Sequence, residues 1–395
     1  MSSRVIAAGP IRPTVATVDL SALTHNLRRL RQVIGSEVGV VAVVKADAYG
    51  HGALPVARLL EGLGVRAFGV ATVEEGVELR VGGVRAPVLV MGAAFGRDHR
   101  AVIDHDLCPV VGDPGDVEHF AKAASAAGRV RFGIHVKIDT GMTRLGVRAE
   151  HFAEFLRGCA AHPSIRVDGL ATHFACAEIP DATRTEEQLA SFRGCLEQAR
   201  RMGADPQLVH AANSAAALRF PHTRFDLVRP GLVLYGARPS QEVPDLGLRP
   251  VMGLQSRINA LREVPPGTPV SYCGTYVTSR SSRVATVPVG YADGYPRALS
   301  NRAEVLVRGV RCRVVGMVCM DLCMVEVTDV PAVAVGDRVT LLGGQGASAI
   351  TVDDLAAWAD TIPYEILSGI SRRVPRTYPG LEGEGGAPGA AREAP

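Results

Sequence analysis

Net charge is nearly absent from this sequence, at +3 over 395 residues. A chain so close to neutral offers no broad field for nucleic acid or a membrane surface, so neither is expected as a partner. Cysteine is sparse and unpatterned: residues 108, 159, 176, 195, 273, 312, 319 and 323 include no Cys-x-x-Cys pair. That excludes a disulfide scaffold and fits a reducing, cytoplasmic setting. The opening residues MSSRVIAAGPIRPTV carry no apolar core ahead of a cleavage site, so no signal peptide is expected. No uninterrupted apolar run reaches the length of a membrane helix. There is no internal repeat. His-Glu-x-x-His is missing, and the histidines at 173 and 210 fall on different expected strands, so a metal site is not expected. A Gly-x-Gly-x-x-Gly fingerprint is missing after the first strand, which argues against a doubly wound, dinucleotide-binding sheet.

What is present is apolar mass. At 47% hydrophobic and this length the chain suits two domains with large cores. Up to about residue 240, short apolar runs alternate with helical patterns. Strands are expected at 38–45, 67–71, 87–91, 107–111, 132–138, 165–172, 207–211 and 225–228. Helices are expected at 53–63, 73–81, 97–104, 116–127, 149–160, 183–202 and 214–218. Eight such alternations describe an α/β fold, a (β/α)8 TIM barrel. From about Pro250 the texture becomes mostly β, with strands expected at 251–261, 282–289, 303–307, 312–317, 324–327 and 339–342, and helices only at 351–359 and 364–370. The expected domains are a barrel over 14–245, a β-rich C-terminal domain over 246–378 and a disordered tail over 379–395. The stretch 14–19 is a candidate strand of the second domain. Ahead of the first barrel strand, Leu20, Leu23, Leu27, Leu30 and Ile34 make the inner face of an amphipathic helix. Arg28, Arg29 and Arg31 read as its solvated face.

The most informative stretch is Val43–Gly52, VVKADAYGHG. It closes an apolar run with Lys45, then turns through Asp47, Tyr49 and two glycines. A lone strand-end lysine ordinarily snorkels to water. At a core rim, however, desolvation lowers its pKa and makes it a nucleophile or base. In a barrel the functional groups sit at the carboxyl ends of the strands. There the chain places Lys45 and Tyr49, then Lys137, Asp139 and Arg144, then His173, then His210, Asn213 and Ser214, then Arg229 and Gly231. Singly these read as a satisfied histidine or a helix cap; together they converge on one rim. Asn213-Ser214 opens a helix and Gly231 follows Arg-Pro, where hydroxyl and backbone N–H groups bind phosphate. A lysine facing a phosphate cradle is the layout for pyridoxal 5′-phosphate held as a Schiff base.

These residues resemble the alanine racemase family, from about residue 14 to 378. VVKADAYGHG resembles its cofactor-lysine motif and KIDTGMTRLG (137–146) its substrate-arginine segment. THFA (172–175), HAANSAA (210–216), RPGLVLYG (229–236), SYCGTY (271–276), GYADGY (290–295), CMDLCM (319–324) and TIPYE…RVPR (361–376) follow in order. The resemblance implies a pyridoxal-phosphate barrel with a C-terminal β domain that interconverts L- and D-alanine, feeding peptidoglycan synthesis. It implies Lys45 and Tyr272 as the two acid/base groups and Arg229 as the partner of the pyridine nitrogen. Tyr49, Ser214, Gly231, Leu232 and Tyr364 match phosphate-binding positions, with Asn213 beside them. Arg144 and Met320 match positions that meet the substrate carboxylate, and His173 matches a partner of the tyrosine. Lys137 matches a position that can be carbamylated, and Asp321 and Tyr291 are supporting residues. It further implies a head-to-tail homodimer in which Tyr272, Met320 and Asp321 come from the other subunit. A serine or broad-spectrum racemase of the same family is the nearest alternative; an amino-acid decarboxylase and a non-catalytic cofactor-binding barrel are more distant ones.

Physical logic agrees with the transfer. Racemisation removes a proton from one face of Cα and returns one to the other, which two fixed bases do without moving. Free lysine and tyrosine titrate near 10, so cations such as Arg144 and Arg229 are expected to bring Tyr272 down. Arginine cannot accept a proton from the pyridine nitrogen. The ring is then a weaker electron sink, which is expected to suppress transamination; Arg229→Glu is expected to raise it. One departure stands out: Cys273 follows Tyr272 where the family more commonly has glycine.

Overall fold

The computed structural model describes residues 11–92, 94 and 98–380. Its contacts divide the described residues into two units: 23–249, and 11–22 together with 250–380.

In the first unit eight strands run parallel in ring order: Gly39–Val43, Ala67–Val70, Val88–Val90, Cys108–Val111, Phe132–Asp139, Ile165–Ala171, Leu208–His210 and Leu227–Val228. The last pairs back onto the first, Leu227 opposite Gly39, so the barrel is closed. Each strand lies within its expected run, except that Phe132–Asp139 goes one residue further. The runs were readable because strands buried on both faces are apolar throughout. Val41, Ala67, Leu89, Val110, Ala171 and Leu227 form one buried interior cluster.

Helices follow the strands, and their starts have local causes. Thr72 caps Val73–Val81 in a reciprocal capping box with Glu75. Asp113 caps Pro114–Ala126, with proline at the position whose N–H has no intrahelical acceptor. That helix starts two residues before the expected 116. The expected helix at 149–160 opens as a 3-10 turn, Ala149–His151, before the α-helix Phe152–Ala160. The expected helix at 97–104 is Asp98–Asp104; residue 97 lies outside the described residues.

The early helix Leu20–Ile34 buries Leu20, Leu23, Leu27, Leu30 and Ile34, as its periodicity requires. Its arginine face is not merely solvated, which corrects the sequence reading. Arg29 donates to the Leu246 carbonyl (2.7 Å), and Arg31 to those of Leu63 and Gly64 (2.8 Å each).

The second unit is mostly β. Val15–Val18 pairs antiparallel with Met252–Arg257 and parallel with Arg376–Thr377. Met252–Arg257 continues to Arg338–Gln345, then Glu304–Val307 and Val310–Arg313. A separate sheet holds Ala260–Val264, Ser282–Val287 and Cys323–Glu326. The single strand expected over 251–261 is therefore two. Ile258 donates its N–H to Asp337 and Asn259 donates to Thr286 (2.9 Å each), so neighbouring residues join different sheets. The strand expected at 312–317 is Val310–Arg313. It closes a hairpin whose two turn residues, Arg308 and Gly309, both have positive φ (53° and 81°). Outside the expected elements lie the short strands Pro269–Val270, Tyr276–Val277, Ser348–Ile350 and Arg376–Thr377. The tail expected to be disordered lies, beyond Gly380, outside the described residues. Among the described residues no helix is long and apolar enough to cross a membrane.

Candidate active site

Lys45 does not continue the first strand, which ends at Val43. It opens a turn in which Ala46, Asp47, Ala48 and Tyr49 are all left-handed, with φ of 51–55°. Each such residue costs about 1–2 kcal/mol, so the turn needs support. Ala48 donates to the Val44 carbonyl (2.8 Å) and Gly50 to that of Ala46 (2.9 Å). The Glu75 carboxylate accepts the Ala46 N–H (2.6 Å), and Asp47 accepts that of Ala53 (2.7 Å). Strain held in place by surrounding bonds is a mark of functional loops. The sequence reading placed Lys45 at a desolvating rim; the structure corrects this, because Lys45 is exposed in the single chain.

The turn folds Tyr49 back into the barrel mouth, where it is buried and packs at a tilt against Tyr235 (ring centroids 4.9 Å apart). Its hydroxyl lies where a Cβ on Gly231 would be, 2.4 Å from that position, so only glycine fits. The Gly231 N–H donates to Ser214 Oγ (2.9 Å), and Asn213 caps the helix Ser214–Arg219 by accepting from Ala216 (2.9 Å). Leu232 begins the next 3-10 turn. Two hydroxyls and the amides of two turn starts thus gather at one place. This donor set and its cradle fit a phosphate group.

Arg229 is buried at 6% exposure among acceptors. Nη1 donates to the His210 carbonyl (2.9 Å) and to His210 Nδ1 (2.7 Å). Nη2 donates to the carbonyls of Thr172 (2.6 Å) and Ala211 (2.9 Å), with His173 Nδ1 at 3.2 Å. Only Nε–H has no partner among the described residues. Burial pushes Arg229 down to about 10, still a cation at neutral pH. Because it only donates, His210 Nδ1 must be a lone pair. His210 therefore carries its proton on Nε2 and donates it to His135 Nδ1 (2.8 Å). Burial, then the Arg229 charge, holds His210 and His173 well below the usual imidazole range. Burial, opposed by Asp168, takes His135 to about 4. All three are neutral at pH 7. The same acceptor cage means that Arg229→Glu would bury a carboxylate against carbonyl oxygens and leave them unpaired. Its first expected effect is therefore lost stability rather than a clean change of reaction.

His135 escaped the sequence reading. Its signal was the alternation in Phe132–Asp139: even positions are buried hydrophobics, while Gly133, His135, Lys137 and Asp139 share the other face. Burial, then Arg229 and Arg144, pushes Lys137 down to about 8; Lys45 adds to this and Asp139 opposes it. Asp139 collects the N–H groups of Gly141, Met142 and Thr143 (2.9–3.0 Å), which shapes the loop carrying exposed Arg144. The mouth is thus a cationic field of two lysines and two arginines.

On the second unit, Tyr272 sits between two residues of positive φ, Ser271 (66°) and Cys273 (61°), and is 71% exposed. Glycine adopts the Cys273 backbone conformation freely, whereas cysteine there costs about 1–2 kcal/mol. Ser271 Oγ donates to the Met317 carbonyl (2.8 Å), tying this turn to the loop of Met320. Tyr291 and Ala292 donate to the carbonyls of Cys319 and Met320 (3.0 Å each). Asp321 pairs with Arg373 (2.7 Å). Arg373 and Arg12 both hold buried Asp293 (2.9 and 2.7 Å). Tyr272, Tyr291 and Met320 are all exposed, and half-buried Tyr364 lies in the helix Pro363–Gly369 of the same unit. The candidate residues therefore fall into two groups, one on each unit.

The model of the N-terminal domain of alanine racemase matches residues 18–239, and that of the C-terminal domain matches 251–378. The chain belongs to the alanine racemase family. An alanine racemase of Halothermothrix orenii is 45% identical over 368 residues, covering 93% of this chain and 97% of that one. One of Sorangium cellulosum is 46% identical over 378 residues, covering 93% and 99%. Among solved structures, alanine racemase from Streptomyces lavendulae superposes with a TM-score of 0.90 at 39% identity, covering 94% of this chain and 98% of that one. The Bacillus anthracis alanine racemase, solved with bound L-Ala-P, gives 0.88 at 36%, covering 94% and 96%. The alanine racemase likeness thus spans both groups of candidate residues.

Proposed function

We propose that this chain is an alanine racemase that interconverts L- and D-alanine with pyridoxal 5′-phosphate and two bases, in a homodimer with shared sites. The observation that carries this reading is the barrel mouth. A cradle of Tyr49, Ser214 and Gly231 shares a rim with Lys45 and a buried arginine whose Nε–H has no partner among the described residues.

When bound, pyridoxal phosphate supplies the electron-withdrawing ring that makes a Cα proton removable. The protein's own residues do the rest. Tyr49, Ser214, Asn213, Gly231 and Leu232 hold the phosphate, with Tyr364 as a further donor. Arg229 would offer Nε–H to the ring nitrogen and, being unable to accept a proton, would leave it unprotonated. Lys45 anchors the cofactor and moves a proton on one face of Cα. Tyr272 of a second copy moves it on the other face, with His173 as its hydrogen-bonding partner. Arg144 and Met320 orient the substrate carboxylate, with Asp321 and Tyr291 supporting that loop. Lys137, with its amine held near 8, is partly neutral at physiological pH. A neutral amine is what carbamylation requires, and the resulting anion would pair with Arg144. The exposure of Tyr272 (71%) and Met320 (53%) supports a role completed by another subunit. The eight free cysteines suit a cytoplasmic enzyme.

The deciding test is a chiral assay of the purified protein across a panel of amino acids. Alanine should give the highest rate in both directions; a faster serine or lysine would remove the name while keeping the chemistry. The cradle has its own test. Gly231→Ala drives a methyl into the Tyr49 hydroxyl and is expected to weaken pyridoxal phosphate about tenfold or more. Titration of the apo-protein followed by absorbance measures this, and unchanged affinity would remove Gly231 from the cradle.

A further inference from the structure

The opposite end of the barrel holds a second concave, positively charged site that the racemase reading does not use. A cavity of about 470 Å³ opens where the chain enters the strands, the end that in such barrels ordinarily serves stability. Phe132, Leu89, Leu227 and His135 line it, together with six arginines and two aspartates. That leaves a local surplus of four positive charges in a chain whose net charge is only +3.

The arginines divide into two sets. Arg66, Arg85 and Arg131 precede three different barrel strands, and none has a side-chain partner among the described residues. Arg80, Arg129 and Arg166 are fixed. Arg80 donates to the carbonyls of Val84 (2.9 Å), Ala86 (2.7 Å), His105 (3.2 Å) and Asp106 (3.1 Å), so its direct acceptors are all neutral. Arg129 pairs with Asp106 (3.2 Å) and Arg166 with Asp168. Glu61 stands nearby, its carboxylate held by the N–H groups of Arg85 and Ala86 (2.7 Å each), and its charge offsets part of the surplus beside Arg80. A neighbouring hollow shares Arg66 and Pro87, adds Arg28 and Arg31, and has no carboxylate in its lining. Low-dielectric walls focus the field of such a cluster. Guanidinium forks match phosphate oxygens two at a time.

We propose that this amino-end mouth binds a small oligophosphate, free or carried on a nucleotide. Three or four negative charges balance the surplus, whereas a single phosphate, with about two at neutral pH, leaves about half of it unmet. The site lies at the end of the strands away from Lys45, and its lining residue His135 is the last imidazole of the line to Arg229.

The test uses the protein loaded with pyridoxal phosphate and desalted, so that the other phosphate cradle is filled. Calorimetric titrations with tripolyphosphate, ATP, adenosine and inorganic phosphate are compared at low and moderate salt. Tripolyphosphate should bind saturably, one per chain, and weaken as salt rises; adenosine should not bind. ATP binding tighter than tripolyphosphate assigns the site to nucleotides, and equal or weaker binding assigns it to the free chain. The triple variant R66A/R85A/R131A removes side chains with no partners in the fold and should lose at least about tenfold in affinity. In parallel, phenylglyoxal labelling of the wild-type protein should show tripolyphosphate protecting Arg66, Arg85 and Arg131 but not exposed Arg200 or Arg201. Absence of saturable binding, or binding and labelling indifferent to these three arginines, overturns the proposal.

Discussion

Lys45→Ala is expected to lower racemisation about a thousandfold or more while the protein stays folded. The fold should survive because Lys45 is exposed. Its turn is held by backbone bonds and by Glu75 and Asp47, not by the lysine side chain. Chemistry should not survive, because this amine is both the proposed anchor of pyridoxal phosphate and one of two proposed bases. Two measurements check this. The chiral assay reads the rate. Borohydride treatment of the wild-type protein should place a stable label on the peptide containing Lys45, and the variant should take none. A labelled variant, or one that still racemises near the wild-type rate, would move the anchor elsewhere.

Tyr272→Phe should cost between about a hundredfold and ten-thousandfold in rate, the span of a lost general acid or base. Its hydroxyl makes no hydrogen bond among the described residues and the side chain is 71% exposed, so stability should hardly change. The loss should also be one-sided. Exchange of the Cα hydrogen with deuterated solvent should persist for one enantiomer, served by Lys45, and stop for the other. Mixing two inactive proteins, Lys45→Ala and Tyr272→Phe, then tests where the tyrosine comes from. In a mixed dimer with crossed sites, one site has both native bases and the other has neither. Random exchange of subunits should therefore restore about a quarter of wild-type activity. No recovery after exchange would place both bases of a site on one chain. Equal exchange of both enantiomers in Tyr272→Phe would mean that Tyr272 is no base at all.

Several parts of the molecule were legible in advance for definite reasons. Parallel barrel strands bury both faces, so apolar runs such as 38–45 and 67–71 announced them within a residue or two. Asn213, read as opening the helix after the seventh strand, caps it through a short local bond that a sequence displays directly. The left-handed turn after Lys45 was not legible, because Ala46, Ala48 and Tyr49 are not residues chosen for positive φ. Their conformation is imposed by Glu75 and by backbone bonds around the turn. His135 was missed because an imidazole inside a strand looks like any other core residue until its partner, 75 positions away, is known. The break at Ile258–Asn259 was missed for a similar reason. Nothing in those two side chains shows that one N–H will face Asp337 and the next Thr286.

By itself, the sequence determined the elements whose forces are local or periodic: the eight strands, most helix starts, and the residues facing the rim at each strand's carboxyl end. It also carried the motifs that place the chain among alanine racemases. Tertiary structure alone decided the protonation pattern. Arg229 is confined among carbonyls, which makes His210 an acceptor on one nitrogen and a donor on the other, and so orients His135. Tertiary structure also drew Arg66, Arg85 and Arg131 to one mouth of the barrel. Charges and proton positions depend on distances and on burial among groups far apart in the chain, and those exist only once the ring of strands has closed.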